Sequence, residues 1–299
     1  MASALIIIIG VTFVTFLLSY LSPDDAAVVK LSSMGTGYTQ EALERTREEM
    51  GLNRPFLVQY ADWMKQVCQL DFGTSYRTHE NIAEVMMTAL PKTLTLAALS
   101  LLVTLVISLP LGILCAYRPN GFLDTVMRFF SYLFSSLPSF FISLIVLYYA
   151  CIQWKLFNVR AEAGIRGYIL PALVTGVTLS SWYIRQIRAV ALEQFSSTYV
   201  YALQSRGVSR SWILWKHVLK NCMLPVITLL GISFGGMLGG AAIVESIFSV
   251  KGVGSLAVTA VTARDYPFIQ AYAAWMAALY LVVNFLVDVI YRKLDPRLS

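Results

Sequence analysis

The sequence predicts an all-α integral membrane protein that crosses the bilayer six times, with both chain ends in the cytoplasm. Three observations predict this fold: an apolar composition, six long stretches without charge, and an uneven distribution of basic residues. Of the 299 residues, 57% are hydrophobic and only 13% are charged, and the mean hydropathy is +0.66. About a quarter of the residues in a soluble domain are charged, so most of this chain is expected to lie in lipid.

The composition also excludes several classes of function. The net charge of +6 is typical of a membrane protein that holds Lys and Arg on its cytoplasmic side. No basic run with interleaved aromatic residues indicates nucleic-acid binding. The four cysteines are far apart, and His79 and His217 cannot place two ligands on one helix face. No metal or cofactor is therefore expected on this chain.

Six stretches of 18 to 26 residues contain no Asp, Glu, Lys or Arg, and about 20 apolar residues suffice to cross the hydrocarbon core. They are Met1 to Pro23, Thr93 to Tyr117, Phe129 to Trp154, Gly167 to Ile184, Asn221 to Val244 and Tyr266 to Val287. The first lacks a basic start and a small-residue cleavage site, which favours an uncleaved helix over a signal peptide. A shorter stretch, Gly252 to Ala263, is expected to be interfacial or re-entrant.

The basic residues decide the orientation. With both ends inside, 11 Lys and Arg lie on the cytoplasmic side and 12 outside. Seven of those 12 belong to the long segment between the first two spans, and segments above about 60 residues cross largely regardless of charge. The remaining count, 11 against 12 − 7 = 5, favours cytoplasmic ends.

The long outer segment, residues 24–91, is expected to be helical. Thr39 can cap a helix that has Glu41 in its first turn, and Gly51 can end it. The stretch Pro55 to Leu70 then places apolar residues at spacings of three and four, which is typical of an amphipathic helix. The segment is either a small cap on the membrane domain or a docking surface for an extracytoplasmic partner.

The internal loop, residues 185–220, carries six basic residues against a single acid, Glu193. Ser197 can cap a short helix, Gly207 can adopt a left-handed turn, and Ser209 can cap a second helix. The pattern predicts two helices joined by a glycine hinge at the cytoplasmic face. The alternative is a solvated basic loop without further structure.

This loop carries a specific resemblance. The run Glu193 to Val208, followed by His217 to Asn221 and Leu224-Pro225, resembles the coupling loop of bacterial ABC importer permeases of the peptide, opine and nickel group. Other pieces resemble the same group in the same order. They are Leu70 to Ser75, Leu137-Pro138-Ser139, Ile169 to Ala172, Val244 to Phe248 with Gly252 to Gly254, Arg264 to Pro267, and Leu294 to Arg297. The resemblance covers nearly the whole chain.

The resemblance implies a type I importer permease with a first transmembrane helix in residues 1–23, a five-helix core in residues 92–291 and a cytoplasmic tail in residues 292–299. It further implies a second homologous permease, two cytoplasmic ATPase subunits and an extracytoplasmic solute-binding protein as partners. ATP and Mg would bind to the ATPases, because this chain has no GxxxxGK[ST] loop of its own. The chain is accordingly not expected to be an enzyme.

The resemblance also implies roles for individual residues. Coupling to the ATPase is expected at Glu193, Thr198, Tyr199, Tyr201, Ala202, Arg206, Gly207 and Val208. The translocation path is expected along Pro138, Ser139, Gly235, Gly236 and Gly239. Docking of the binding protein is expected at Asp71, Phe72, Gly73, Arg264, Asp265 and Tyr266. An older form of the coupling motif begins Glu-Ala-Ala, and this chain departs from it with Tyr201-Ala202-Leu203.

Two questions stay open at this point. The glycines of the fifth stretch, which include Gly231 and Gly235, fit the small-xxx-small pattern, and either close helix packing or a lining of the path explains them. The solute is nickel, an opine-type metal chelate or a peptide, and the compact stretch Lys155 to Arg166 is more similar to the nickel and metal-opine permeases. An ion-coupled secondary transporter is the alternative function, but the central spans contain no acidic or basic relay. A non-transporting structural subunit or receptor is a further alternative.

Overall fold

A computed structural model describes residues 2–23, 25–33, 38–160, 162 and 164–294, and every long regular element among them is helical. The helices are α1 (Ala2–Tyr20), α2 (Ala26–Ser33), α3 (Gln40–Glu49), α4 (Phe56–Cys68), α5 (Ile82–Tyr117), α6 (Phe122–Ser136), α7 (Ser139–Leu147), α8 (Arg166–Phe195), α9 (Thr198–Ser205), α10 (Arg210–Ile213), α11 (Leu219–Gly240), α12 (Ala242–Ile247), α13 (Val253–Thr262) and α14 (Tyr266–Leu294). The all-α prediction is confirmed. The chain divides into a first unit, residues 1–93 and 251–281, and a second unit, residues 94–250 and 282–299.

Four helices among the described residues are long and apolar enough to cross a membrane: Ile82–Tyr117, Arg166–Phe195, Arg210–Met237 and Tyr266–Ile290. They correspond to four of the six predicted spans. The third predicted span is a bent pair of helices, and the first contains a shorter apolar helix, Leu5–Tyr20. The count of six spans therefore stays a prediction. The α13 helix has only 10 residues, as expected for a piece too short to span.

The third predicted span is divided at Pro138. Its two parts, Phe122–Ser136 and Ser139–Gln153, differ in direction by 97°. Leu137 has extended backbone angles (φ −93°, ψ 129°), because the ring of a following proline disfavours the helical conformation. After α7 the chain continues as a π-helical turn over Tyr148–Gln153. A proline within a span often produces only a kink, whereas the structure has a full break between two helices here.

Several helices extend beyond the uncharged stretches that predicted them. The α5 helix begins at Ile82, well before the predicted start at Thr93, and α8 continues to Phe195. The prediction ended each span at its first charged residue, whereas Arg185 within α8 donates to the Ser131 carbonyl and the Ser135 hydroxyl and does not end the helix. The predicted tail begins at residue 292, and of the terminal motif Asp295, Pro296 and Arg297 lie outside the described residues.

In the first unit, the predicted outer helices are present. The Thr39 hydroxyl accepts a 3.2 Å hydrogen bond from the Ala42 N–H and caps α3, and Gly51 ends that helix region with a φ of +67°. The α4 helix packs its aromatic face against α1. The Tyr60 ring lies 5.3 Å from that of Phe13, and its hydroxyl lies 3.0 Å from the hydroxyl of Thr12. This contact lies along the second half of α1, so α4 packs against the side of α1 and does not cover only its end.

In the second unit, α5 and α8 approach closely at two glycines. A Cβ added at Gly176 would lie 2.6 Å from Cβ of Val103, and one added at Gly112 would lie 2.8 Å from Cβ of Ile187. The close approach lets the Thr104 hydroxyl donate a 3.2 Å hydrogen bond to the Gly176 carbonyl. Small residues at such positions let helix backbones meet, which is a common packing device within membranes.

Candidate coupling site

The predicted coupling helix is α9, and a left-handed turn at a glycine ends it. Gly207 has a φ of +78°, its N–H donates to the Gln204 carbonyl (2.9 Å), and the Val208 N–H donates to the Leu203 carbonyl (3.1 Å). This pair of bonds is a Schellman motif, which satisfies the last carbonyls of the helix and turns the chain sharply. The left-handed turn predicted at Gly207 is confirmed. Ser197, in contrast, makes no capping bond, because its hydroxyl donates to the Gln194 carbonyl instead.

One face of α9 is embedded and the other is exposed. Val200 is fully buried among residues of α8, α10 and α11, and Tyr199 and Leu203 pack half-buried against the same cluster. Tyr201 is 59% exposed, and Ala202 beside it is exposed as well. The exposed coupling residues are Glu193, Thr198, Tyr201, Ala202, Arg206 and Gly207, whereas Tyr199 and Val208 are half-buried. The helix therefore presents a fixed outward surface.

A triangle of polar side chains holds α9 to its neighbours. The Tyr199 hydroxyl donates to Oε1 of Gln194 at 3.2 Å. The Asn221 amide donates to the same oxygen and to the Tyr199 hydroxyl, both at 3.1 Å. These three residues belong to the end of α8, to α9 and to the start of α11, so the triangle fixes the short helix at one end. The roles of Gln194 and Asn221 were not predicted, because Asn221 lies more than 20 residues from both of its partners in sequence.

The second predicted helix is not a separate element. Ser209 caps it as predicted, accepting a 3.4 Å hydrogen bond from the Trp212 N–H. The chain then runs through α10 and a π-helical segment, Leu214–Val218, directly into α11. The Arg210 guanidinium, near the start of this helix, lies 5.1 Å from the ring centre of Tyr117 and 5.3 Å from that of Phe195. Such cation–π contacts join the helix to α5 and α8.

The predicted path residues occupy two places in the second unit. Pro138 and Ser139 form the bend between α6 and α7. On α11, Gly236 and Gly239 are exposed, and a Cβ added at either would meet nothing within 4 Å. Gly235 is half-buried.

A different glycine of the same helix supports the alternative that the glycine pattern permits close helix packing. A Cβ at Gly231 would lie 2.4 Å from Cγ2 of Val287 on α14. Both readings of the glycine pattern therefore have a structural counterpart: Gly231 permits close packing, whereas Gly236 and Gly239 leave an open surface.

Half of the predicted docking residues are buried within the first unit. Phe72 is buried with its ring 5.8 Å from that of Trp275, and the Tyr266 hydroxyl lies 2.7 Å from the Ser22 hydroxyl. Asp265 is 3% exposed and accepts hydrogen bonds from Ser75 and from the Tyr76 backbone. These side chains make their contacts within the unit.

The remaining docking residues are accessible. Asp71 and Arg264 are exposed, and Gly73 is half-buried with a φ of +73°. Beside them, burial and then the Asp265 carboxylate raise the pKa of Tyr76, so its phenol stays neutral in the physiological range. The first unit also contains a cavity of about 730 Å³. Within it, the charged lining residues Asp25 and Arg47 form an ion pair with each other.

Two buried acids escaped the sequence analysis. Asp124 is fully buried at the start of α6 and pairs with Arg188 of α8. Glu245, placed by the sequence at the end of a span, is fully buried in α12. The sequence analysis considered burial only for the six uncharged stretches, and both acids lie outside them. Among the described residues, no three His, Cys, Asp or Glu side chains come together as a metal site.

Comparisons with known proteins agree on one family. The family described as "Binding-protein-dependent transport system inner membrane component" matches residues 108–299, and its N-terminal companion family matches residues 1–97. The metal-staphylopine import system permease protein CntB of Staphylococcus aureus is 34% identical over 98% of this chain and 94% of its own length. The probable peptide ABC transporter permease protein y4tP of Sinorhizobium fredii is 35% identical over 95% and 92%. The nickel import system permease protein NikB of Staphylococcus aureus is 32% identical over 98% and 88%.

Solved structures of similar fold are more distant in sequence. An inward-facing MetNI methionine ABC transporter chain matches with a TM-score of 0.59 at 15% identity, covering 71% of this chain and 96% of that one. A chain of an amino acid ABC transporter with histidines matches with a TM-score of 0.57 at 18% identity, covering 70% and 94%. At such identities the likeness concerns the fold alone.

Proposed function

Because the chain belongs to the family of inner membrane components of binding-protein-dependent transport systems, we propose that its α9 surface couples a cytoplasmic ATPase to solute import. The chain is a multi-pass protein of the bacterial inner membrane and a permease subunit of an ABC importer. The observation that carries the coupling proposal is the fixed, exposed face of α9 around Tyr201 and Ala202. A short helix that is buried on one side and exposed on the other can transmit a displacement to the surrounding helices without deforming.

We propose a complex of this chain with a second homologous permease, two ATPase subunits and an extracytoplasmic binding protein. ATP and Mg bind to the ATPases, which carry out all hydrolysis. Closure of the ATPases displaces α9, and the displacement shifts the surrounding helices between two states, so that the path opens alternately to either side. The permease supplies half of that path.

We further propose six membrane spans with both ends in the cytoplasm, divided into the first helix (residues 1–23), the outer segment (24–91), the five-helix core (92–291) and the tail (292–299). The excess of Lys and Arg in the cytoplasmic loops supports this orientation. The path then follows Pro138, Ser139 and the α11 glycines 235, 236 and 239. The open surface at Gly236 and Gly239 supports this assignment, because a path or a second permease needs room there.

On the outer side, we propose that the binding protein docks near the exposed residues Asp71, Gly73 and Arg264. The buried neighbours Phe72, Asp265 and Tyr266 hold this surface in place. The charged groups at the surface supply electrostatic orientation for a transient partner, which is the usual role of charge at an interface rim.

The proposed solute is nickel or an opine-type metal chelate, with a peptide as the alternative. Two of the three relatives named above import metal or a metal chelate, and the third is a probable peptide permease. The absence of a three-ligand metal cluster among the described residues fits a solute that arrives complexed and is recognised mainly by the binding protein.

The test is import into proteoliposomes that contain this chain, its partner permease and both ATPases, with the binding protein supplied outside. We expect radiolabelled nickel, with or without a chelator, to accumulate only with ATP and the binding protein, and to be insensitive to ionophores. Ionophore-sensitive uptake without ATP would instead support an ion-coupled transporter. A ligand screen on the binding protein then separates metal chelate from peptide.

A matched pair of variants tests the coupling surface. Ala202 on α9 and Ala61 on α4 are both exposed helical alanines. Ala202→Arg places a bulky charge on the proposed ATPase contact and is expected to prevent stable association of the ATPases during co-purification, whereas Ala61→Arg leaves association intact. Equal ATPase recovery with both variants contradicts the assignment of the α9 surface.

A further inference from the structure

A buried ion pair joins α6 to α8 near the coupling helix. The Asp124 carboxylate has no exposed surface, and Arg188 donates to both of its oxygens, from Nε to Oδ1 at 2.6 Å and from Nη2 to Oδ2 at 2.8 Å. The Asn120 backbone N–H donates a third hydrogen bond to Oδ2 at 2.8 Å. A two-pronged arginine–carboxylate contact fixes orientation as well as distance.

The pair lies at a mechanically important point of the chain. Arg188 precedes the end of α8 at Phe195 by seven residues, a distance of about 10 Å along the helix. The coupling helix begins three residues later, at Thr198. On the other side of the pair, α6 ends at Ser136, where the chain enters the 97° bend.

A second link lies about one turn before Arg188 in α8. Arg185 Nη1 donates to the Ser131 carbonyl and to the Ser135 hydroxyl, both at 2.9 Å. The bond to Ser135 is exposed and the bond to Ser131 is partly buried, whereas the Asp124 carboxylate is fully buried. Apolar contacts and surface bonds allow helices to slide, but separating Arg188 from Asp124 would leave a buried carboxylate without its partner. The α6 and α8 helices are therefore forced to move together.

We propose that Asp124 and Arg188 are positioning residues that carry a displacement of the coupling helix from α8 to α6, and through α6 to the bend at Pro138. The inference rests on the proposed coupling role of α9. It predicts that breaking the pair uncouples ATP hydrolysis from import, rather than lowering both in proportion.

The chain offers a matched control at the same carboxylate. Arg128 approaches Asp124 from within α6 itself, with Nε 3.7 Å from Oδ2 and its side chain 39% exposed. Its Nε makes no hydrogen bond among the described residues. Arg128→Gln and Arg188→Gln therefore remove the same charge next to the same acid, but only the second cuts the link between two helices.

The experiment measures solute imported per ATP hydrolysed in proteoliposomes that contain the complete importer. Arg188→Gln is expected to lower this ratio about tenfold, a size typical of residues that carry coupling between sites, while ATP hydrolysis continues. Arg128→Gln is expected to leave the ratio within about twofold of wild type. A proportional loss of both activities, or an equal effect of both variants, overturns the inference.

A gentler variant guards against misfolding. Asp124→Asn removes the fully buried negative charge but keeps the shape and one carbonyl oxygen to accept from Arg188, whose own side chain is 20% exposed. If Arg188→Gln does not assemble, Asp124→Asn decides: a several-fold lower ratio supports the inference, and an unchanged ratio overturns it. Wild-type import that needs no ATP overturns the proposed function and the inference with it, whereas ATP-driven import with unchanged variant ratios overturns the inference alone.

Discussion

The Ser75 hydroxyl donates a 2.5 Å hydrogen bond to the Asp265 carboxylate, although 190 residues separate the two in sequence. The other carboxylate oxygen accepts a 3.1 Å bond from the Tyr76 N–H, and both Ser75 and Asp265 are buried. The segment before α5 is thus joined to the start of α14 within the first unit.

This relationship makes Asp265 a stability residue. Asp265→Ala leaves the buried Ser75 hydroxyl and the Tyr76 N–H without their acceptor, at a cost of about 1–3 kcal/mol for each buried group. We expect a lower melting temperature of the detergent-solubilised protein. Asp71→Ala is the control, because Asp71 is exposed and, within the described part of the chain, its side chain accepts only from the nearby Gly73 N–H. Similar melting temperatures for both variants would contradict the burial argument.

Gly207 is expected to tolerate asparagine but not valine. A Cβ at this position meets nothing within 4 Å, so any effect arises from the left-handed backbone alone. That conformation costs roughly 1–2 kcal/mol for most residues, but asparagine adopts it more readily and a β-branched residue less so. Import per ATP hydrolysed should therefore fall in Gly207→Val and stay near wild type in Gly207→Asn. If the two variants behave alike, the turn is not under conformational constraint.

Two glycines of α11 are expected to respond differently to the same change. Gly231→Ala overpacks the contact with Val287 and should destabilise the protein by about 1–3 kcal/mol. The double variant Gly231→Ala with Val287→Ala should recover the melting temperature, because it restores the space. Gly239→Ala should leave stability unchanged, since no atom lies within 4 Å of the new methyl group.

A larger side chain at Gly239 tests the path. Gly239→Leu is expected to reduce import without lowering the melting temperature, because it fills open space on the proposed path or its partner interface. Normal import by a well-folded Gly239→Leu protein would remove this glycine from the path.

Cys68 provides a test of orientation that needs no engineered cysteine. It is exposed at the end of α4, whereas Cys115, Cys151 and Cys222 are buried. With cytoplasmic chain ends, a membrane-impermeant maleimide added to intact protoplasts should label the protein, and Cys68→Ser should abolish labelling. Labelling confined to inside-out vesicles would reverse the proposed topology.

The features that the sequence predicted well are local. Thr39 caps α3 and Gly207 ends α9 because a few neighbouring residues decide both conformations. The long apolar stretches likewise predicted the long helices, since lipid solubility depends on composition. The helix ends were predicted less well, because a charge ends an apolar stretch without ending the helix that contains it.

The features that the sequence missed depend on distant partners. Nothing near Asp265 in the sequence indicates that Ser75 will bind it. The partner of Asp124 lies 64 residues away on α8. The 97° angle between the two parts of the third predicted span was likewise not predicted, because a proline in the sequence does not specify the size of a bend.

The break at Leu137 and Pro138 has a consequence for what must surround it. Where a helix stops inside hydrocarbon, its last carbonyls lose their partners, and lipid tails offer them no hydrogen bonds. Irregular backbone at such depth persists only beside water or beside another protein surface. Ser136 and Pro138 are exposed in the isolated chain. In the proposed six-span topology, the bend therefore lies where acyl chains cannot satisfy its backbone, and we expect water or another protein surface beside it.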